Sequence, residues 1–146
     1  NSRLLPNRKV EQLHINNKES LAGATVCVDS LFTKANRERK HTLMARLEEM
    51  AGTALSYDMT GSNIAYQLEV ARGKSILGIT DAVGGPWDWR AGEALVCEAG
   101  GVMVDGQTGN RPNDNSTIVI YGNSVIVDQV FPLVSSIYQN YQGFNK

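Results

Sequence analysis

Hydrophobic and polar positions change period several times along the chain, and each change predicts an element. Ala24 to Ser30 alternates apolar and β-branched residues, the pattern of a strand. From Asn36 to Met50 the period lengthens. Leu43, Leu47 and Met50 recur at helical spacing, with Arg37, Arg39, Lys40, Arg46, Glu48 and Glu49 covering the other face. A short strand is expected at Leu55 to Met59, then a helix from Ser62, a good N-cap, to Gly73, a good C-terminal stop. Ile76 to Thr80 reads as a strand ending at Asp81. The next helix should begin at Pro86 and stop at the Gly100-Gly101 pair. Val102 to Val104 and Thr117 to Tyr121 read as strands on either side of the turn-rich Asp105 to Ser116. A last helix is expected from Ser124 to Tyr141, kinked at Pro132. Ahead of all these, Val10 to Ser20 is polar and irregular and reads as an edge strand with a loop.

Strands and helices thus alternate. The pattern predicts an α/β fold: a mostly parallel sheet with helices on both faces, in three layers. At 146 residues, 42% of them hydrophobic, the chain is expected to form one domain around one core.

Charge narrows the partners. Charged residues make up 20% and the net charge is −1, which points away from a polyanion such as nucleic acid. The basic cluster Lys34 to Lys40 has no interleaved aromatics and is balanced by acids one turn later, as in a solvated helix face. No apolar run approaches the roughly 18–20 residues that span a bilayer, so no membrane partner is expected. Cys27 and Cys97 lie on segments that read as buried, and suit two reduced thiols of a cytoplasmic protein. His14 and His41 have no partner at ligand spacing and read as surface residues. The chain starts at Asn1 without an initiator Met or a signal-peptide pattern, like the inside of a longer polypeptide.

Ligands of open α/β sheets bind beyond the carboxyl ends of the strands, and two segments fall there. In Thr60-Gly61-Ser62-Asn63, Gly61 allows a close approach and the helix start offers N–H groups to anions or hydroxyls. The same residues are equally those of an ordinary capped turn, and the glycine fingerprints of dinucleotide and P-loop sites are absent. The second segment, Asp81 to Asp88, puts one carboxylate at a strand end and another in a first helical turn, with a glycine pair between. Such a pair could hold a hard cation or read substrate hydroxyls, and Asp88 alone could be a helix-start acid.

The longer string carries a resemblance. Pro86-Trp87-Asp88-Trp89-Arg90-Ala91-Gly92, followed by Glu98-Ala99-Gly100-Gly101, resembles the C-terminal signature of the inositol monophosphatase family, in which a Trp-Asp pair opens a helix containing Ala-Gly and ending in Glu-Ala-Gly-Gly. Gly61-Ser62-Asn63 falls where that family carries a Gly-Thr/Ser turn. Asp81 lies seven residues before Asp88, where many inositol-cleaving members have glutamate. The resemblance runs from about Val10 to Tyr138. It implies that Asp88 is a catalytic residue and a ligand of Mg²⁺, in a site whose paired ions sit roughly 3.5–4 Å apart. It implies further that Gly61, Ser62 and Asn63 line the substrate pocket, and that Asp81 accepts a hydrogen bond from a substrate hydroxyl.

The chain departs from the family at Asp81, one methylene shorter than glutamate, and at Trp89 and Arg90, bulky where relatives often carry small residues. The family's other metal ligands, a Glu pair and an Asp-Pro-x-Asp-Gly-Thr/Ser motif, are not found here; Asp105-Gly106 lacks an Asp three residues earlier and reads as a turn. Asn1-Ser2 resembles the Asn-Gly turn that joins the two halves of relatives. The resemblance therefore implies residues 1–146 to be the C-terminal domain of a two-domain phosphatase of small phosphate esters, inactive without its N-terminal metal-binding half. Relatives cleave inositol phosphates, fructose bisphosphate and nucleotide-derived phosphates, and often form homodimers. The alternative is a non-catalytic binding module that keeps the fold.

Overall fold

The computed structural model describes residues 11–29 and 34–143. The Asn1-Ser2 turn, and the ends at Val10 and Ser30 of two expected strands, lie outside them. The elements are β1 Thr25–Val28, α1 Lys34–Ala51, β2 Ser56–Asp58, α2 Asn63–Ala71, β3 Leu77–Asp81, a 3₁₀ turn Pro86–Asp88, α3 Arg90–Glu98, β4 Val102–Asp105, β5 Ile118–Gly122 and α4 Ser124–Ile137.

The caps follow the local chemistry. Ser62 accepts the N–H of Ala65 at the start of α2, and Gly73 turns the chain at φ +73° beyond its end. Asn123 caps α4 by accepting the N–H of Ile126 at 2.9 Å, while its amide donates to the carbonyls of Asn16 and Lys18 at 2.9 and 2.8 Å. That bond pins an otherwise irregular segment. Residues 11–20 form no strand, and they are tied to the fold's other side by Ile15 N–H to the carbonyl of Ala99 at 3.1 Å, the Asn16 amide to the carbonyl of Gly73 at 3.4 Å and the Arg72–Glu11 ion pair.

The expectation of a mostly parallel sheet is corrected. The five strands stand in the order β2-β1-β3-β5-β4, and the sheet is mixed. β1 pairs in parallel with β2 and β3, whereas β5 pairs antiparallel with both β3 and β4. The cause lies in one connection. Residues 106–117 hold no helix, so β4 returns through turns as an antiparallel neighbour and β5 slots between β3 and β4. The other four strands keep a common direction, and their carboxyl ends meet at one edge.

Two other expectations shift. The helix foreseen from Pro86 is broken at Trp89 (φ −135°, ψ −27°), between the 3₁₀ turn and α3. The final helix runs through Pro132 but stops at Ile137, so that residues 138–143 leave it.

Alternation along the strands feeds two cores. Val26, Val28, Leu77, Ile79, Ile118 and Ile120 pack with Leu43 and Leu47 of α1 and Val127, Val130 and Val134 of α4. The intervening Cys27, Val119 and Tyr121 pack with Tyr66 and Val70 of α2, Val96 of α3, and Trp89. Each such side chain contributes about 1.5–3 kcal/mol when fully buried. Cys27 is buried as expected, but Cys97 is exposed on α3; both are free. His14 and His41 are exposed.

One contact on the second face is tight. Gly78 of β3 stands opposite Tyr121 of β5, and a Cβ on Gly78 would lie 2.1 Å from the Tyr121 ring. Gly78→Ala should therefore cost about 1–3 kcal/mol in urea unfolding. In a Tyr121→Ala background the same change should cost close to nothing. Equal costs in both backgrounds would show that the ring is not the cause.

Candidate active site

At the common carboxyl edge, aspartates stand at the ends of four strands: Asp29 just beyond β1, Asp58, Asp81 and Asp105. Two are spent on local turns. Asp105 is buried and accepts the N–H groups of Gln107 and Thr108 at 2.8 and 3.0 Å and the Ser116 hydroxyl at 2.5 Å, the turn that its sequence suggested. Asp58 accepts the N–H of Thr60 at 3.2 Å.

Asp81 sits in the middle of the edge and is 5% exposed. Its own N–H donates to Asp29 Oδ2 at 3.2 Å, and its carbonyl accepts the Asn63 amide at 3.0 Å. Its Oδ1 accepts the N–H of Val83 at 2.7 Å, and its Oδ2 accepts the Tyr141 hydroxyl. Burial pushes the carboxyl up from 3.8 to about 6, helped by the negative charges of Asp29 and Asp88 and opposed by the bonds from Tyr141 and Val83.

Asp88 is half-buried at the end of the 3₁₀ turn. Its carboxylate lies over Gly84, where a Cβ would come within 2.2 Å of Oδ2, so the glycine keeps the space that the carboxylate occupies. Burial raises its pKa, while the Gly84 backbone and the Asn63 side chain favour the charged form. Its backbone is fixed from α2, where the buried Gln67 donates to the Asp88 carbonyl at 2.7 Å.

The turn before α2 completes the arrangement. Gly61 adopts φ +82°, and its N–H donates to the Tyr66 hydroxyl at 2.5 Å. Asn63 touches both the Asp81 carbonyl and the Asp88 side chain. The structure thus gathers Asn63, Asp81 and Asp88 around one point, with Gly61 and Ser62 exposed beside them. Trp87, 78% exposed, stands at the rim against Gly85.

Sequence reasoning missed Gln67, Tyr66 and Tyr141. Gln67 follows Asn63 by four residues, which places both on one face of α2 and was a usable signal. Trp89 does not line this site; it is 3% exposed and packs in the second core. Arg90 is exposed and pairs with Asp114 at 2.7 Å. A cleft of about 1030 Å³ opens between α3 and residues 111–115, away from Asp81 and Asp88. Its walls are joined by exposed ion pairs, Arg90–Asp114 and Arg111–Glu93, and the carboxylates that could do chemistry are elsewhere.

Oxygen donors crowded at one edge suit a hard cation such as Mg²⁺ better than a soft one. Asp88 offers a half-exposed carboxylate, and the Gly84 cradle leaves it room. Among the described residues no group of three His, Cys, Asp or Glu side chains closes a metal site.

The raised Asp81 pKa carries a stability consequence. A carboxyl that titrates near 6 when folded and near 4 when unfolded favours the fold while protonated, and that contribution is lost as pH rises through 6. The loss is on the order of 3 kcal/mol, at about 1.4 kcal/mol per pH unit of displacement. Asp81→Asn should gain stability relative to the native chain between pH 4.5 and 7.5 in urea unfolding. A difference that stays constant over that range would refute this account.

Comparisons with known proteins cover most of the chain. The model of the inositol monophosphatase family matches residues 3–139. Solved structures share the fold: an IMPase of Thermotoga maritima (24% identity, TM-score 0.73, covering 88% of this chain and 47% of that one), the extragenic suppressor protein SuhB of Bartonella henselae (17%, 0.71, 84% and 46%) and an inositol monophosphatase of Anabaena (18%, 0.68, 85% and 50%). The chain spans about half the length of these relatives. No curated protein sequence matches it significantly. A family match over almost the whole chain, on a fold shared with these structures, makes the chain a member of the inositol monophosphatase family.

Proposed function

We propose that this chain is the C-terminal α/β domain of a larger, two-domain Mg²⁺-dependent phosphatase hydrolysing a small phosphate monoester, an inositol monophosphate or a sugar phosphate. The observation that carries the reading is the Asp88 carboxylate, held over the Gly84 cradle and beside Asn63 at the start of α2. The two cores on either side of the sheet favour a three-layer domain of the kind such enzymes carry.

Asp88 would be the metal ligand from this half. When bound, Mg²⁺ supplies a water made more acidic and a counter-charge for the leaving oxygen. The residues of this chain orient the ester. Gly61 and Ser62 leave the amino end of α2 open to an anion or hydroxyl, where the helix dipole favours negative charge. Asn63 fixes Asp88 relative to Asp81, and Gln67 fixes the Asp88 backbone from behind. Asp81 is the acceptor for a substrate hydroxyl. Its partners are the small phosphate ester, the N-terminal half and, as in many relatives, a second copy; the setting is cytoplasmic, without nucleic acid or membrane. No helix among the described residues is long and apolar enough to cross a membrane.

Mn²⁺ is a suitable probe because it takes the place of Mg²⁺ and broadens nearby NMR signals. Added to residues 1–146, it should broaden the amides of Gly84 to Trp89 first, and Asp88→Asn should abolish the effect. Broadening centred elsewhere, or unchanged in the variant, would favour the binding-module reading. With one carboxylate to offer, residues 1–146 alone should show no turnover of an inositol or sugar phosphate at millimolar Mg²⁺.

A further inference from the structure

Beyond α4, residues 138–143 cross back to the carboxyl edge of the sheet, and several bonds hold them there. The Gln107 side-chain amide donates to the carbonyls of Tyr138 and Tyr141 at 2.6 and 2.9 Å. The Thr117 hydroxyl lies within hydrogen-bond distance of Gln107 Oε1, at 3.0 Å, and of the Tyr141 carbonyl, at 3.3 Å. Tyr138 meets Tyr141 edge-on with ring centres 5.5 Å apart, and the Arg39 guanidinium lies 5.4 Å from the Tyr141 ring centre. Gly143 closes against Val83, where a Cβ would come within 2.3 Å of its side chain. This strap delivers one functional group: the Tyr141 hydroxyl, donated to Oδ2 of Asp81 in a buried contact spanning 60 residues of sequence.

The consequence is chemical. A free carboxylate can accept two adjacent hydroxyls, one on each oxygen. At Asp81 the Tyr141 hydroxyl fills one acceptor position of Oδ2 and the Val83 N–H one of Oδ1, so each oxygen keeps a single further position, and the side chain is a methylene shorter than glutamate. We propose that Tyr141 is a positioning residue that sets specificity: by holding Asp81 Oδ2 it prevents the carboxylate from gripping a vicinal diol, so the site takes phosphate esters whose recognition does not require one in preference to densely hydroxylated rings. The proposal rests on the reading of Asp81 as a substrate-facing group.

The test uses residues 1–146 with Asp labelled with ¹³C at Cγ, and myo-inositol as the probe. In Tyr141→Phe the Asp81 Cγ resonance should shift while that of Asp105, bonded only within its own turn region, stays in place. The variant should bind myo-inositol at least threefold more tightly than the native chain, read from the Val83 and Asn63 amide shifts. Adding Asp81→Asn should cancel the gain. Gln107→Ala, which loosens the strap without touching Asp81, should move the affinity in the same direction and guards against misfolding of the first variant. An unmoved Asp81 resonance, equal affinities, absence of binding by every form, or a gain that survives Asp81→Asn would each overturn the proposal. Mn²⁺ broadening at Asp88 reports the metal reading separately, so failure of one is distinguishable from failure of the other.

Discussion

A carboxylate buried at the end of a central strand must have its polar atoms satisfied, because an unpaired buried group costs about 1–3 kcal/mol or more. Asp81 meets that demand with partners from four places. Asp29 beyond β1 takes its N–H, Asn63 of α2 bonds its carbonyl, and Val83 and Tyr141 occupy its carboxylate. These bonds bring the α2 start, the 82–88 loop and the C-terminal strap to one point, and Asp88 is placed as a result. The order at the site is thus a consequence of burying Asp81.

The two aspartates of that loop end in different environments. Asp81 is almost fully buried and its carboxyl is pushed up to about 6. Asp88 is half-exposed, and partial burial raises its carboxyl as well, against the opposing bonds from the Gly84 backbone and Asn63. Burial thus raises both carboxyls, and the pair differs in exposure and in hydrogen-bond partners rather than in the direction of the shift.

Local features of the sequence were legible because local physics decides them. Ser62 as a cap, Gly73 as a stop and Asp105 as a turn residue all depend on neighbours within a few positions. The Trp87-Asp88 string was legible in another way, through its resemblance to a family signature. Strand direction was not legible in this way. Alternating elements suggested parallel pairing, but β5 follows a connection without a helix and inserts between β3 and β4, which only packing of both cores decides. Cys97 was expected to be buried, yet it is exposed and lines the cleft between α3 and residues 111–115.

Tyr141 is the sharpest case of what sequence spacing cannot show. A tyrosine past the last helix, in a polar C-terminal stretch, carries no local signal for a contact 60 residues away. Its partner carried one only through the family resemblance, which sets Asp81 where a glutamate is expected. A shorter side chain at a buried strand end cannot reach as far into a cleft, and its oxygens remain where a residue from within the fold can bond them. The short side chain and the Tyr141 hydroxyl fit one another in this chain. A longer carboxylate at position 81 would displace the hydroxyl, and a phenylalanine at position 141 would take from Oδ2 the partner that now holds it.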